Sequence, residues 1–219
     1  MAQAGARKAF QLVPAGRCPR DSGSRRRSVY DGRAPSRSPA VNRRESGCAN
    51  ERIHLRPTAS DDLDDLRRLW NDGRVMKWVG SPDGLGYDSD AMARWLERLQ
   101  ASPNRQHFVV ISSEAGFCGE AYYAVDPMHR RAGLDIKIRP EAQGRGVAST
   151  ALAALIDRVF SSTAEVESVW TEPSEVNVAA RKLYWRCGLL INSEKYKNFK
   201  DSKGKSALPY LLVFETGGQ

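Results

Sequence analysis

The sequence lacks any run of about 18 apolar residues, which is the length that a membrane-spanning helix requires. It also lacks a secretory hydrophobic segment near its first residues. These absences exclude an integral membrane protein of the helical kind. We therefore expect a cytoplasmic protein that has no membrane partner.

Cysteine and histidine are scarce, with four and three copies in 219 residues. They lie far apart in the chain, at Cys18, Cys48, Cys118 and Cys187 and at His54, His107 and His129. Metal sites built from these residues have close, characteristic spacings, and none occurs here. We predict reduced thiols and no metal site.

Excess charge of one sign is confined to residues 1–50, which carry a net charge of +8, whereas residues 51–219 balance to zero. The first segment is rich in Arg, Ser, Pro and Gly, so it cannot bury enough apolar surface to offset the entropy of ordering. We predict a disordered basic tail over 1–50 and one folded domain over 51–219. A transit peptide, an over-extended start and phosphate contacts by Arg25-Arg26-Arg27 are the alternatives. No aromatic residue is interleaved with these arginines for base stacking, so we do not expect a nucleic-acid partner.

The most informative stretch is residues 134–148, LDIKIRPEAQGRGVA. Apolar and charged residues alternate in LDIKI, which is typical of a strand with one apolar face. Pro140 predicts the end of that strand, and helical spacing of apolar residues begins at Val147. A glycine-rich turn that opens a helix presents several N–H groups and the positive end of the helix dipole. It is therefore suited to binding an anion.

Two common nucleotide-binding signatures are absent from this turn. It does not end in the Gly-Lys-Ser/Thr of a P-loop. Gly144 and Gly146 match the first two glycines of a dinucleotide fingerprint, but Ser149 stands where the third is needed. An ordinary strand–turn–helix is the alternative interpretation.

A second motif follows about one βα unit later. Asn177, Ala180, Tyr184 and Gly188 recur at intervals of three, four and four in NVAARKLYWRCGL. With the Gln-x-x-Gly-x-Ala of residues 143–148, this motif makes the sequence resemble the GNAT superfamily of acyl-CoA-dependent N-acyltransferases. Within it, the chain looks most similar to the branch that includes ribosomal-protein alanine acetyltransferases. The resemblance extends over residues 53–215.

The order of predicted elements agrees with that resemblance. A strand near Ile53 and two helices precede three antiparallel strands, which are followed by helix, strand, helix and a last strand over 210–215. We predict an α+β fold in which a mixed, mostly antiparallel central sheet is flanked by helices. Trp78 and Tyr87, in an irregular stretch, either line a pocket or cover the core edge. The lysine-rich segment 191–206 is predicted to be an exposed connection.

The resemblance implies that acetyl-CoA binds as a co-substrate. Backbone N–H groups of the turn would bind its pyrophosphate, Gln143 would order the loop and Arg145 would add charge. The pantetheine arm would pair with main-chain groups of Ile136 and Ile138, where the central strand separates from Val169-Trp170. Asn177 would contact the pantetheine or the loop before its helix. It would alternatively, or in addition, cap that helix. The full implied set is Ile136, Ile138, Gln143, Gly144, Arg145, Gly146, Val147, Ala148 and Asn177.

The same resemblance implies that Tyr184 is the general acid. A phenol keeps its proton at neutral pH and can give it to the leaving thiolate. Packing of the tyrosine in the core is the alternative.

The general base does not follow from the resemblance, because many relatives carry a Glu where this chain has Ala132-Gly133. Glu120, Asp135 and Glu172 are the candidates. We predict Glu120, because desolvation in an apolar strand would raise the pKa of its carboxyl. A salt bridge from Glu120 to Arg130 or Arg131 is the alternative.

These observations predict transfer of an acetyl group from acetyl-CoA to a primary amine by direct attack. The acceptor is a protein N-terminus or a small molecule, and the balanced charge of residues 51–219 offers no acidic surface to attract a polycation. A catalytically silent acyl-CoA-binding regulatory module of the same fold is the alternative. We expect a monomer or a homodimer.

Overall fold

The computed structural model describes residues 52–191 and 210–213. The predicted tail, the predicted border at residue 50 and most of the segment 191–206 lie outside these residues. The elements are β1 (Ile53–Pro57), α1 (Leu63–Asn71), α2 (Gly73–Met76), α3 (Ser89–Gln100), β2 (Arg105–Ser112), β3 (Gly116–Asp126), β4 (Arg131–Ile138), α4 (Val147–Ser162), β5 (Ser168–Thr171), α5 (Val178–Arg186), β6 (Leu190–Ile191) and β7 (Tyr210–Val213).

Within the described part of the chain, seven strands form a single sheet in the order β1-β2-β3-β4-β5-β7-β6. All neighbouring strands are antiparallel except β4 and β5, which are parallel. The predicted α+β fold with a mixed, mostly antiparallel sheet is confirmed. The two-residue strand β6 was not predicted, since a segment that short has no alternation to detect.

The core has two parts, one on each face of the sheet. Helices α1 to α3 cover one face with a cluster centred on Leu66 and Trp70. Helix α4 covers the other face with Leu152, Leu155 and Ile156, all fully buried. Every helix in residues 52–191 is too short or too polar to cross a membrane.

Strand β4 contributes to both faces, because successive side chains of a strand alternate. Leu134 and Ile138 are buried in the core beneath α4. Asp135 and Lys137 therefore lie on the face that α1 to α3 cover. The alternation predicted for LDIKI is the physical origin of this division.

Strands β4 and β5 separate after a short paired segment. Their register ends with Gly133 opposite Trp170, although β4 continues to Ile138. The indole of Trp170 packs so closely there that a Cβ at Gly133 would lie 3.3 Å from its Nε1. The second half of β4 therefore has main-chain groups that are not paired with β5.

Candidate active site

A cavity of about 780 Å³ opens where β4 and β5 separate. Its walls are the second half of β4, the turn before α4, the loop after β5, the α5 helix and residues 75–80. Eight of the predicted site residues line it: Ile136, Ile138, Gln143, Gly144, Gly146, Ala148, Asn177 and Tyr184. The structure thus brings together both sequence motifs in one concave site.

Glycine is required by backbone conformation at two positions of the turn. Gly144 and Gly146 have φ angles of 78° and 84°, which non-glycine residues rarely adopt. Gly146 is the N-cap of α4, and the first turn of a helix has N–H groups without intrahelical acceptors. The Gln143 side chain donates to the carbonyl of Ile138 at 2.9 Å and ties the turn to the end of β4. These N–H groups form the wall of the cavity best suited to an anion.

Two residues of the turn that we predicted to bind the pyrophosphate, Arg145 and Val147, are not among the residues that line the cavity. Val147 is 1% exposed and its side chain belongs to the core, so only its main chain is available to a ligand. The guanidinium of Arg145 lies 3.7 Å from the carboxylate of Glu114. We predicted that the positive charge of Arg145 would act on the pyrophosphate, but the Glu114 carboxylate partly offsets that charge.

Helix α5 supplies the second wall. The side chain of Asn177 accepts a hydrogen bond from the backbone N–H of Ala180 at 3.1 Å, so Asn177 caps the helix and also lines the cavity. Tyr184 lies two turns further on and is buried. Burial raises the pKa of the Tyr184 phenol, and the nearby charge of Asp135 raises it further. Its hydroxyl is therefore protonated at neutral pH.

Glu120 is fully buried and lies in a hydrogen-bonded cluster beside the cavity. Its Oε2 accepts from Trp70 Nε1 at 2.8 Å and from His107 Nε2 at 3.0 Å. Its Oε1 accepts from Lys137 Nζ at 2.9 Å. Both carboxylate oxygens are therefore occupied by donors, and Glu120 is not among the residues that line the cavity.

The prediction that burial gives Glu120 a raised pKa is wrong. Burial acts in that direction, but the charge of Lys137 and the hydrogen bond from His107 outweigh it and lower the pKa to about 2. Glu120 does not form a salt bridge with Arg130 or Arg131. Arg130 pairs with Glu167, and Arg131 pairs with Asp126. A carboxylate with so low a pKa binds a proton only weakly at neutral pH. An effective general base has a pKa near the working pH, so Glu120 is poorly suited to that role.

Lys137 connects this buried cluster to the cavity. Its Nζ also donates to Asp135 Oδ2 at 2.7 Å. Burial acts to lower the pKa of Lys137, but Asp135 and Glu120 outweigh it and raise that pKa. Asp135 lines the cavity, as does Glu172. Asp135 was among the predicted candidates for the base, whereas Lys137 was not predicted as a site residue, although the register places it directly opposite Glu120.

The irregular stretch after α2 contributes one of its two aromatic residues to the cavity. Trp78 lines it and is 41% exposed. Tyr87 instead packs edge-on against Trp70, with ring centroids 5.9 Å apart. Among residues 52–191 and 210–213, no group of three or more His, Cys, Asp or Glu is arranged to hold a metal ion.

Residues 52–190 match the acetyltransferase (GNAT) domain family. The chain belongs to this family. No curated protein matches the sequence. Solved structures do match the fold, and a spermidine N-acetyltransferase from Vibrio cholerae in complex with CoA and spermine is 21% identical, with a TM-score of 0.63. That match covers 74% of this chain and 95% of the Vibrio cholerae chain.

Two further solved structures are of acetyltransferases that are named for other acceptors. The aminoglycoside acetyltransferase AAC(6')-Ib, in complex with coenzyme A, is 18% identical over 74% of this chain and 95% of its own, with a TM-score of 0.61. The ribosomal L7/L12 alpha-N-protein acetyltransferase RimL, also in complex with coenzyme A, is 13% identical. That match covers 76% of this chain and 96% of the RimL chain, with a TM-score of 0.62. The branch within the GNAT family that we predicted stays a prediction.

Proposed function

We propose that this GNAT domain is an acetyl-CoA-dependent N-acetyltransferase that acts on the primary amine of a protein N-terminus or a small molecule. One observation carries the proposal. The anion-binding turn and the buried phenol of Tyr184 line the same cavity, at the point where β4 and β5 separate. Solved structures of three proteins with this fold contain coenzyme A, which supports the same co-substrate here.

The residues of the cavity fit the parts of acetyl-CoA. The N–H groups from Gly144 to Ala148 bind the pyrophosphate, with Gly146 at the helix start. Main-chain groups of Ile136 and Ile138, beyond the last pair with β5, bind the peptide-like pantetheine arm. Asn177 then lies at the start of the helix that carries Tyr184.

Acetyl-CoA supplies the acetyl group: the amine nitrogen bonds to the thioester carbon, the carbon–sulfur bond breaks and the sulfur leaves as a thiolate. Tyr184 holds a proton that it gives to this sulfur. A base takes the proton that the ammonium group must lose. After the attack, the nitrogen loses its second surplus proton, which returns Tyr184 to its phenol form. These three proton transfers leave an amide, a thiol and a protonated base.

Asp135 is the best candidate for the base. It lines the cavity on β4 just past the last pair with β5, and its charge acts on the Tyr184 phenol. Glu120 lies behind it, and holds Lys137 against Asp135. We therefore assign the base to Asp135, with water between it and the amine, and a positioning role to Glu120.

An acetyl-CoA turnover assay against a mixed panel of amines tests the function. The panel contains peptides, polyamines and aminoglycosides, and mass spectrometry detects the acetylated product. We expect acetylation of at least one amine by the full chain. Tight acetyl-CoA binding without any acetylated product would favour the silent binding module.

Asp135→Asn tests the base. We expect kcat/KM at neutral pH to fall roughly 10-fold to 10²-fold, at or below the usual range for one acid–base group. The deficit should shrink as the pH approaches the pKa of the acceptor amine, because more of the amine is then already neutral. Glu172→Gln is the matched comparison, because Glu172 lines the same cavity from the loop after β5. A larger loss with that variant would move the assignment to Glu172.

Gly146→Asp tests the turn. The substitution adds a side chain and a negative charge at the helix start, so we expect acetyl-CoA affinity to fall at least tenfold, on the scale of a charge at a helix terminus plus lost N–H contacts. Gly116→Asp is the control. It introduces the same kind of strain at a φ of 67°, in the hairpin between β2 and β3. Equal affinities of the two variants by calorimetry would locate the phosphate site elsewhere.

A further inference from the structure

Among the cationic side chains on the cavity wall, Lys77, Arg105 and Arg186 have no carboxylate partner in residues 52–191 and 210–213, and the first two also lie against aromatic rings. Lys77 follows α2 and Arg105 begins β2, and both are exposed. Other arginines of these elements are paired, as Arg74 is with Asp72 and Glu141. Lys77 and Arg105 are therefore available to a ligand that carries negative charge.

Aromatic rings hold both cations at the cavity. The Lys77 ammonium lies 4.9 Å from the centroid of Trp78, and the Arg105 guanidinium lies 5.0 Å from that of Tyr122. Both rings also line the cavity. A cation over an aromatic face is partly ordered without being neutralised, so it can still pair with a carboxylate.

The charge of the cavity disfavours a polycation. The charged residues among its described lining are Lys77, Arg105, Lys137 and Arg186 against Asp135 and Glu172. Asp135 is already paired with Lys137 at 2.7 Å. An acceptor with several ammonium groups, such as a polyamine, would add like charge to this surface.

The sheet register gives the spacing between Arg105 and the site of reaction. Arg105 pairs with Ala124, which pairs with Gly133 at the point where β4 and β5 separate. Strands lie about 4.8 Å apart, so Arg105 is about 10 Å from β4 along this row. An extended peptide advances about 3.4 Å per residue, so this distance spans about three residues.

We infer that the acceptor is the α-amine of a peptide or protein whose second to fourth residues include acidic side chains. This inference rests on the proposed acetyltransferase function and deepens it. The amine lies at the opening between β4 and β5, and the carboxylates of the following residues pair with Arg105 and Lys77. Both side chains determine specificity and take no part in the chemistry.

The test measures kcat/KM of the full chain for two peptides that share the first residue and differ only at positions 2 to 4, with Asp-Glu-Asp in one and Lys-Arg-Lys in the other. We expect the acidic peptide to be preferred about tenfold, since two exposed ion pairs contribute up to about fivefold each. The preference should weaken as salt is raised, because salt screens exposed charges. Spermidine should react less well than the acidic peptide.

Variants separate specificity from general loss of activity. Arg105→Gln and Lys77→Gln should each reduce the preference for the acidic peptide about threefold to fivefold, mainly through KM. Arg94→Gln, an exposed arginine on α3 away from the cavity, should leave the preference unchanged. Equal rates for both peptides, or preference for the basic peptide or for spermidine, would overturn the inference while the acetyltransferase function stands. If no amine is acetylated, the proposed function itself fails.

Discussion

Replacement of Tyr184 by Phe should lower turnover by roughly 10² to 10³-fold, within or near the range for one general acid. The substitution removes one hydroxyl and keeps the buried aromatic ring, so the fold should survive. Affinity for acetyl-CoA should change little, because the lost interaction is made in the transition state. Turnover is measured under conditions in which the chemical step limits the rate, and affinity is measured by calorimetry.

The pH dependence gives a second readout for Tyr184. A general acid works in its protonated form, so activity is lost only as the pH rises through its pKa. Burial and Asp135 raise that pKa above the ordinary phenol value of about 10, so we expect no loss from this group below that pH. If the wild-type activity falls at alkaline pH because this phenol loses its proton, that fall should be absent from the pH–rate profile of Tyr184→Phe.

Tyr123→Phe is the matched control, because Tyr123 is also a buried tyrosine but lies in the core and not on the cavity wall. It should keep wild-type turnover. If Tyr184→Phe also keeps it, the proton comes from water and the assignment to Tyr184 is wrong.

The elements that form the proposed acetyl-CoA side of the site could be predicted because their determinants are local. Alternation in residues 134–138 specifies one strand, and Gly144 and Gly146 specify the turn. The Asn177 cap specifies the start of α5. Each feature depends on residues within a few positions of one another, and the structure has all of them where the sequence indicated.

The charged side of the site could not be predicted because it depends on pairing between strands. Desolvation alone gave the wrong direction for the pKa of Glu120. Burial is the largest single effect on that pKa, but Lys137 on β4 and His107 on β2 together outweigh it. Whether a cation is free for a ligand is likewise a tertiary property. Arg74 is paired with Glu141, 67 residues away, whereas Arg105 has no such partner in the described residues.

The buried cluster around Glu120 should be important for stability. Glu120→Gln keeps the shape of the side chain and removes its charge, so Lys137 loses one of its two carboxylates in a buried site. Loss of one partner of a buried ion pair costs on the order of 3 kcal/mol in the free energy of unfolding. At about 2–4 °C per kcal/mol for a domain of this size, the thermal midpoint should fall by about 6–12 °C. Glu97→Gln, on the exposed face of α3, should change it little.

The sharper test is how the difference in free energy of unfolding between wild type and Glu120→Gln changes at acid pH. The pKa of Glu120 is lowered from 4.5 to about 2 in the folded protein, so its carboxylate stabilises the fold fully above pH 4.5. That contribution is lost as the pH falls from about 4.5 towards about 2, because the proton then binds the unfolded chain first. Urea unfolding of wild type and Glu120→Gln at several pH values should give a gap in free energy that is constant near neutrality and narrows below pH 4.5. A gap that stays constant through this range would mean that Glu120 is held by hydrogen bonds alone and that its charge adds nothing to stability.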